Sequence, residues 1–239
     1  MKTSPISASE RLTLQDLGPV KTPDFQNQIN FDIVTFEIEH ARIESLNKAL
    51  ESFHAKNVTF QNQGLYTANG ISVSHGKSKR GSELVGILSS VGAVRVARTV
   101  LTTLDQTPEL FTAITLQRQH YVFFTTATEI SRSFDPGHIG WMIKPKLTSR
   151  ENFIELEMMP AFSPLIKIRV PQADTPDEYR ATNLPPGRLE CTLEQGDFLI
   201  LAPTRNPTRT TIDAMLFNAQ KNPGKIRLYV LIFNAAEYS

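Results

Sequence analysis

Over the second half of the chain apolar and polar residues alternate, the period of two that marks a strand with one buried face. From Gly92 onward AVRVARTVLTTL, LFTAITL, HYVFFTTATEI, HIGWMIKPKL, NFIELEMMP, RLECTL, DFLILA and KIRLYVLIF each read as a strand. Asp135-Pro136-Gly137, Pro185-Pro186-Gly187, Glu194-Gln195-Gly196 and Asn222-Pro223-Gly224 separate most of them. Proline presets φ and glycine accepts the left-handed region, so these stretches favour chain reversal. Earlier, FDIVTFEI, Phe31 to Ile38, is rich in β-branched and aromatic residues and predicts another strand. Ile43, Leu46, Leu50 and Phe53 then recur at helical offsets, predicting a helix whose apolar stripe seals one face of a sheet. VTFQNQGLYTANGISVSHGKSKRG alternates short β-like runs with Gly and Asn breaks, and Leu84, Leu88 and Val91 mark a second, shorter helix. The expected fold is mainly β, of α+β type: antiparallel sheets with two or three short helices.

At the edges of this pattern, residues 1–30 read as a polar, Pro-broken leader, expected to be poorly ordered. Residues 163–187 hold five of the fifteen prolines and several charges, which predicts a long surface excursion.

One pair of strands fixes its own register. In HIGWMIKPKLTSRENFIELEMMP, His138 to Pro160, the first run carries lysines and the second glutamates. Facing residues of an antiparallel hairpin share a side of the sheet. If facing residue numbers sum to 301, Lys146 faces Glu155 and Lys144 faces Glu157, while Ile143, Pro145 and Leu147 face Met158, Leu156 and Ile154. A sum of 300 sets Lys144 against Leu156 and Pro145 against Glu155, mixing charge into the apolar side. The first register is therefore predicted, set mainly by apolar burial and secondarily by charge.

Composition narrows the function. A chain of 239 residues can bury roughly 70 to 75% of its unfolded surface, so core size is not limiting. Twenty-five basic and 24 acidic residues leave a formal charge of +1, and no global field favours nucleic acid. The single cysteine, Cys191, excludes an intrachain disulfide and a Cys-rich metal site. The leader lacks an apolar run of signal-peptide type, and no stretch reaches the roughly 18 apolar residues of a membrane helix. Alternating membrane strands give a weaker signal and stay open.

Candidate chemistry is thin. GISVSHGKS, Gly70 to Ser78, approaches a phosphate-binding loop, yet five residues rather than four separate Gly70 from Gly76. A flexible basic loop is the blander reading of this string, and a solvated cluster is that of Lys77 to Arg80. His40, His54, His75, His120 and His138 show no metal-ligand spacing, and Ser74-His75 lacks the Gly-x-Ser-x-Gly elbow of a serine hydrolase. Glu155 and Glu157 would lie about 7 Å apart on one strand face, a separation that suits paired-carboxylate catalysis, but the facing lysines explain them more simply. No enzyme activity, cofactor or metal is predicted.

The order of elements resembles the C-terminal domain of secretins, the ring-forming outer-membrane pores of type II and type III secretion and type IV pilus systems. FDIVTFEIEHA and LVGILSSVGAV begin the resemblance. VRVARTVLTTLDQ is similar to the family's V-x-V-x-x-x-P-x-L-x-T-L-D-N stretch, HIGWMIKPKL to its V-G-x-x-L-x-V-x-P-x-I strand, and NFIELEMMPAFS to the strand that follows. LEQGDFLILA, then Leu216-Phe217 and KIRLYVLIFNA, resemble its closing strands. The likeness spans roughly residues 31 to 235. The chain departs from the pattern at Thr99, where the family has Pro, at Arg118, near its usual Gly, at Asn234-Ala235, and in a shortened TRTTIDAM segment. The resemblance implies an oligomerising, non-enzymatic component of an export or pilus channel. It further implies a homo-oligomeric ring, partners among other envelope components, and a place at the outer membrane or in the periplasm. Gly140, Pro145, Gly196, Leu216 and Phe217 would be its architectural residues, with Lys144, Lys146, Glu155 and Glu157 as the charged hairpin face. The alternatives are a secretin-derived scaffold without a pore and, more remotely, a nucleotide-binding protein using the Gly70 to Ser78 loop.

Overall fold

A computed structural model describes residues 27–53, 57–126, 128–165, 181–208 and 210–237. Thirteen strands and four α-helices occur among them, a mainly β fold with antiparallel pairing throughout its sheets. In chain order they are β1 (Gln28–Glu39), α1 (Ile43–Leu50), β2 (Val58–Phe60), α2 (Gln63–Ala68), β3 (Ile71–Gly76), α3 (Gly81–Ser90), β4 (Val94–Leu104) and β5 (Glu109–Leu116). There follow β6 (His120–Thr125), β7 (Glu129–Phe134), β8 (Gly137–Leu147), β9 (Phe153–Pro164), β10 (Thr182–Asn183), β11 (Leu189–Glu194), β12 (Phe198–Pro203), α4 (Ile212–Phe217) and β13 (Lys225–Glu237).

The strands form two main sheets. The first runs β3-β12-β13-β1-β4 and the second β2-β11-β9-β8-β5, with β10 on β9 and the β6–β7 hairpin apart. Side-chain alternation on β13 shows how the layers stack. Tyr229, Leu231 and Phe233 join Phe31, Ile33, Trp141, Ile143, Leu156 and Met158 in a core between the sheets. Ile226, Leu228 and Val230 face the other way, against Ile43, Leu46, Leu50, Phe53, Leu84 and Leu88 of the helical layer. The first sheet is thus covered on both faces, by α1 and α3 on one side and by the second sheet on the other. The apolar stripe read along the first helix is the one that makes this contact, and all four of its residues are buried.

Several expected boundaries change. The leader ends earlier, since Gln28 to Asn30 already pair within β1; residues 1–26 lie outside the described residues. The excursion at 163–187 loses both ends: Ser163 and Pro164 close β9, and Thr182–Asn183 pairs back onto Phe162 and Ala161. Residues 166–180, like His54, lie outside the described residues. HYVFFTTATEI, read as one strand, contains the turn between β6 and β7. Two helices went unread, α2 and α4. Each has six residues, too short for a helical period to show.

Candidate assembly edge and its supports

The β8–β9 hairpin has the predicted register: Lys146 faces Glu155, Lys144 faces Glu157, and Pro145 faces Leu156. Lys146 Nζ donates to Glu155 Oε2 at 2.8 Å, and this carboxylate beside it holds the ammonium above its usual pKa. Glu157 has its cation from outside the hairpin, Arg188, whose Nη1 lies 3.7 Å away. With Glu190 and Thr192 of β11, Lys144, Lys146, Glu155 and Glu157 line a shallow depression of about 400 Å³ on the outer face of the second sheet. Each of the two carboxylates thus has a cation beside it on an open face, Lys146 at Glu155 and Arg188 at Glu157.

Gly140 has a backbone reason. A Cβ there would overlap the carbonyl oxygen of Phe111, because β5 bulges between Thr112 and Ile114 and presses onto β8. Pro145 sits where its missing N–H does no harm: β5 pairs β8 only as far as Ile143, and beyond it the Pro145 carbonyl accepts from Gln106 N at 2.8 Å. Leu216 and Phe217 belong to the core. All of α4 is buried, Phe217 lies 6.3 Å from the ring of Trp141, and Tyr229 Oη donates to the Leu216 carbonyl at 2.8 Å.

Gly196, at φ +84°, makes the turn that presents Asp197, whose carboxylate is buried. Asp197 accepts from Lys77 Nζ at 2.8 Å, Glu194 N at 3.0 Å and Ser78 N at 3.2 Å, and lies 3.6 Å from His75 Nε2. The Gly70 to Ser78 string is therefore not a loop. Ile71 to Gly76 is strand β3, which holds Gly70 roughly 20 Å from Lys77. Lys77 is neutralised by Asp197, with Glu194 at 3.6 Å, so a phosphate placed there would meet carboxylates. His75 has its pKa pushed down, chiefly by burial, and among the described residues its Nε2 has no hydrogen-bond partner. His40 and His138 stand apart from it, and among the described residues no three His, Cys, Asp or Glu side chains converge as metal ligands. Cys191 is buried and its thiol is pushed up to about 12, mainly by desolvation.

The least satisfied surface lies elsewhere. Among the described residues β4 is the outermost strand of the first sheet and β5 of the second, and the short turn between them places both edges on one side of the sandwich. Every residue from Val94 to Val100 is exposed, including Val94 at 55%, Val96 at 46% and Val100 at 61%. Between the two edges runs a groove of about 400 Å³, lined on the β4 and β5 side by Val96, Ala97, Thr99, Phe111 and Thr112, and also by the polar groups of Glu37, Lys221, Asn222 and Arg227. Arg98, facing the helical side, donates to Asp32 at 2.5 and 3.0 Å and holds that carboxyl below its usual range. The alternation in β4 marks it as a strand but not as an edge, because edge position depends on the pairing order. Its content of three valines and three threonines with no acid was the available signal.

No protein-family model matches the chain, and searches of characterised proteins and of solved structures likewise give no match.

Proposed function

We propose that this chain is a secretin-like oligomerising component of an outer-membrane secretion or pilus channel, acting in protein export by assembly rather than by catalysis. The observation that supports this reading best is the open side of the sandwich, where among the described residues β4 and β5 have no strand on their outer edges and three valines are exposed. A monomer normally shortens, charges or covers such an edge, whereas an assembling subunit completes it with a neighbour. The test is to purify the full chain with and without detergent, determine its mass by light scattering and image it. Rings or defined oligomers are expected. A strict monomer in every condition would sink the reading.

A second reading, a secretin-derived scaffold that assembles without forming a pore, has its own observation. One face of the first sheet carries helices, and the outer face of the second carries Lys146, Glu155 and Glu190, where a lipid-facing strand would be apolar. Oligomers that form without detergent and release no dye from lipid vesicles would favour the scaffold.

A further inference from the structure

The open side of the sandwich also constrains what covers it. Three partner registers can be compared for β4 meeting the same strand of a second copy, antiparallel and about a two-fold axis, which requires facing residues of equal parity. Centring the axis on Arg98 crowds two long guanidinium side chains face to face and moves Val100 off the axis. Centring it on Thr99 sets Arg98 against Val100. Centring it on Val100 sets Val100 against its own copy, Arg98 against Thr102, Thr99 against Leu101 and Ala97 against Thr103. That register alone places the most exposed apolar residue of the strand on the axis and keeps every charge off a valine.

The fold supports the same limits. β4 bulges where Thr35 pairs with Ala97 and Phe36 with Arg95, leaving Val96 as the extra residue, so regular pairing is available from Ala97 to Thr103. Arg98 is already neutralised by Asp32, so the contact brings in no uncompensated charge. Seven residues extend about 24 Å, and two sheet layers are about 20 Å deep. The side therefore offers roughly 500 Å² per partner, about 1,000 Å² in all, which is the lower bound for a specific interface.

We infer that two copies of this chain pair β4 with β4 about a two-fold axis through Val100, joining two five-stranded sheets into one of ten strands. The inference rests on the assembly reading above and names the edge and the partner for it; a two-fold contact closes at two copies, so a ring would be built from such dimers through a second surface. The small area makes the contact concentration-dependent.

Val100→Cys and Val100→Lys in the full chain test it. The native Cys191 is buried, so under a mild thiol oxidant Val100→Cys is expected to give a covalent dimer through the introduced thiol. Val100→Lys is expected to shift the sedimentation-derived dissociation constant at least tenfold. Val85→Lys, an equally exposed valine on α3, should leave it unchanged, with all variants matched in circular dichroism and melting temperature. If oligomers persist in Val100→Lys and no cross-link forms, the β4 pairing is wrong while assembly through another surface stands. If the unmodified chain is monomeric at all concentrations, with and without detergent, both fail. A monomer whose β4 amides resist hydrogen exchange would assign the edge to this chain's own remaining residues and overturn the second-copy pairing.

Discussion

Single residues in this protein act mostly through the backbone they permit. Gly140 lets β5 close on β8, and the obstacle to any side chain there is the Phe111 carbonyl, which cannot rotate away. Gly140→Ala is expected to destabilise the fold by about 2–4 kcal/mol in urea unfolding, because the bulge must shift or the strands must part. His75 acts through its charge state. Its buried ring faces Asp197 from the β11–β12 turn, with Lys77 on the same carboxylate, and burial outweighs the attraction of Asp197. A histidine whose folded pKa lies below its ordinary value of about 6.5 contributes stability that is present above that pH and is lost as pH falls through the folded value. Unfolding midpoints measured from pH 7.5 down to 5 should therefore drop in the wild type, and the drop should be shallower in His75→Gln.

At the scale of elements, the β8–β9 hairpin is held by the agreement of two faces. Lys146→Glu and Glu155→Lys should each lower the melting temperature slightly, and the double reversal should recover it, since the pair faces across the hairpin on an exposed surface. Failure of the double variant to recover would show that the surrounding residues, not the pair, set the preference. This hairpin was legible from sequence because both of its faces are sharply patterned, so one register satisfied apolar and charged positions together. α1 was legible for the same reason. α2 and α4 were not. In α2 the cue was a single capping residue, Asn62, whose Oδ1 accepts from Leu65 N at 3.1 Å. α4 is buried on every side, so no polar face exists to reveal a period. The β6–β7 turn was missed because threonines flank it rather than Gly or Pro.

At the scale of the molecule, the two cores share the first sheet as a common wall. α4 wedges into the larger core where Trp141, Tyr229 and Phe217 meet, joining both sheets through one short helix. Phe217→Ala should destabilise the whole domain by about 3–5 kcal/mol in a single cooperative transition. Two separated transitions would instead show that the helical layer and the sandwich unfold independently. The candidate site was less legible than the fold. The residues whose architectural role is visible in the pattern lie in the core, in a turn, or on the charged outer face. The unsatisfied edge belongs to β4, whose exposure follows from which strands neighbour it and not from any local motif.

The order of the first sheet also sets a timetable. Its central ladder joins β1 to β13, so Gln28 meets Glu237 across nearly the full length of the described chain. Loop closure over such a separation is slow, and these two inner strands of the first sheet cannot pair until the last of these residues has been made. Until β13 arrives, β1 has one neighbour and an open side of its own. During synthesis the chain therefore presents a second sticky edge beside β4, one that disappears only when folding is complete.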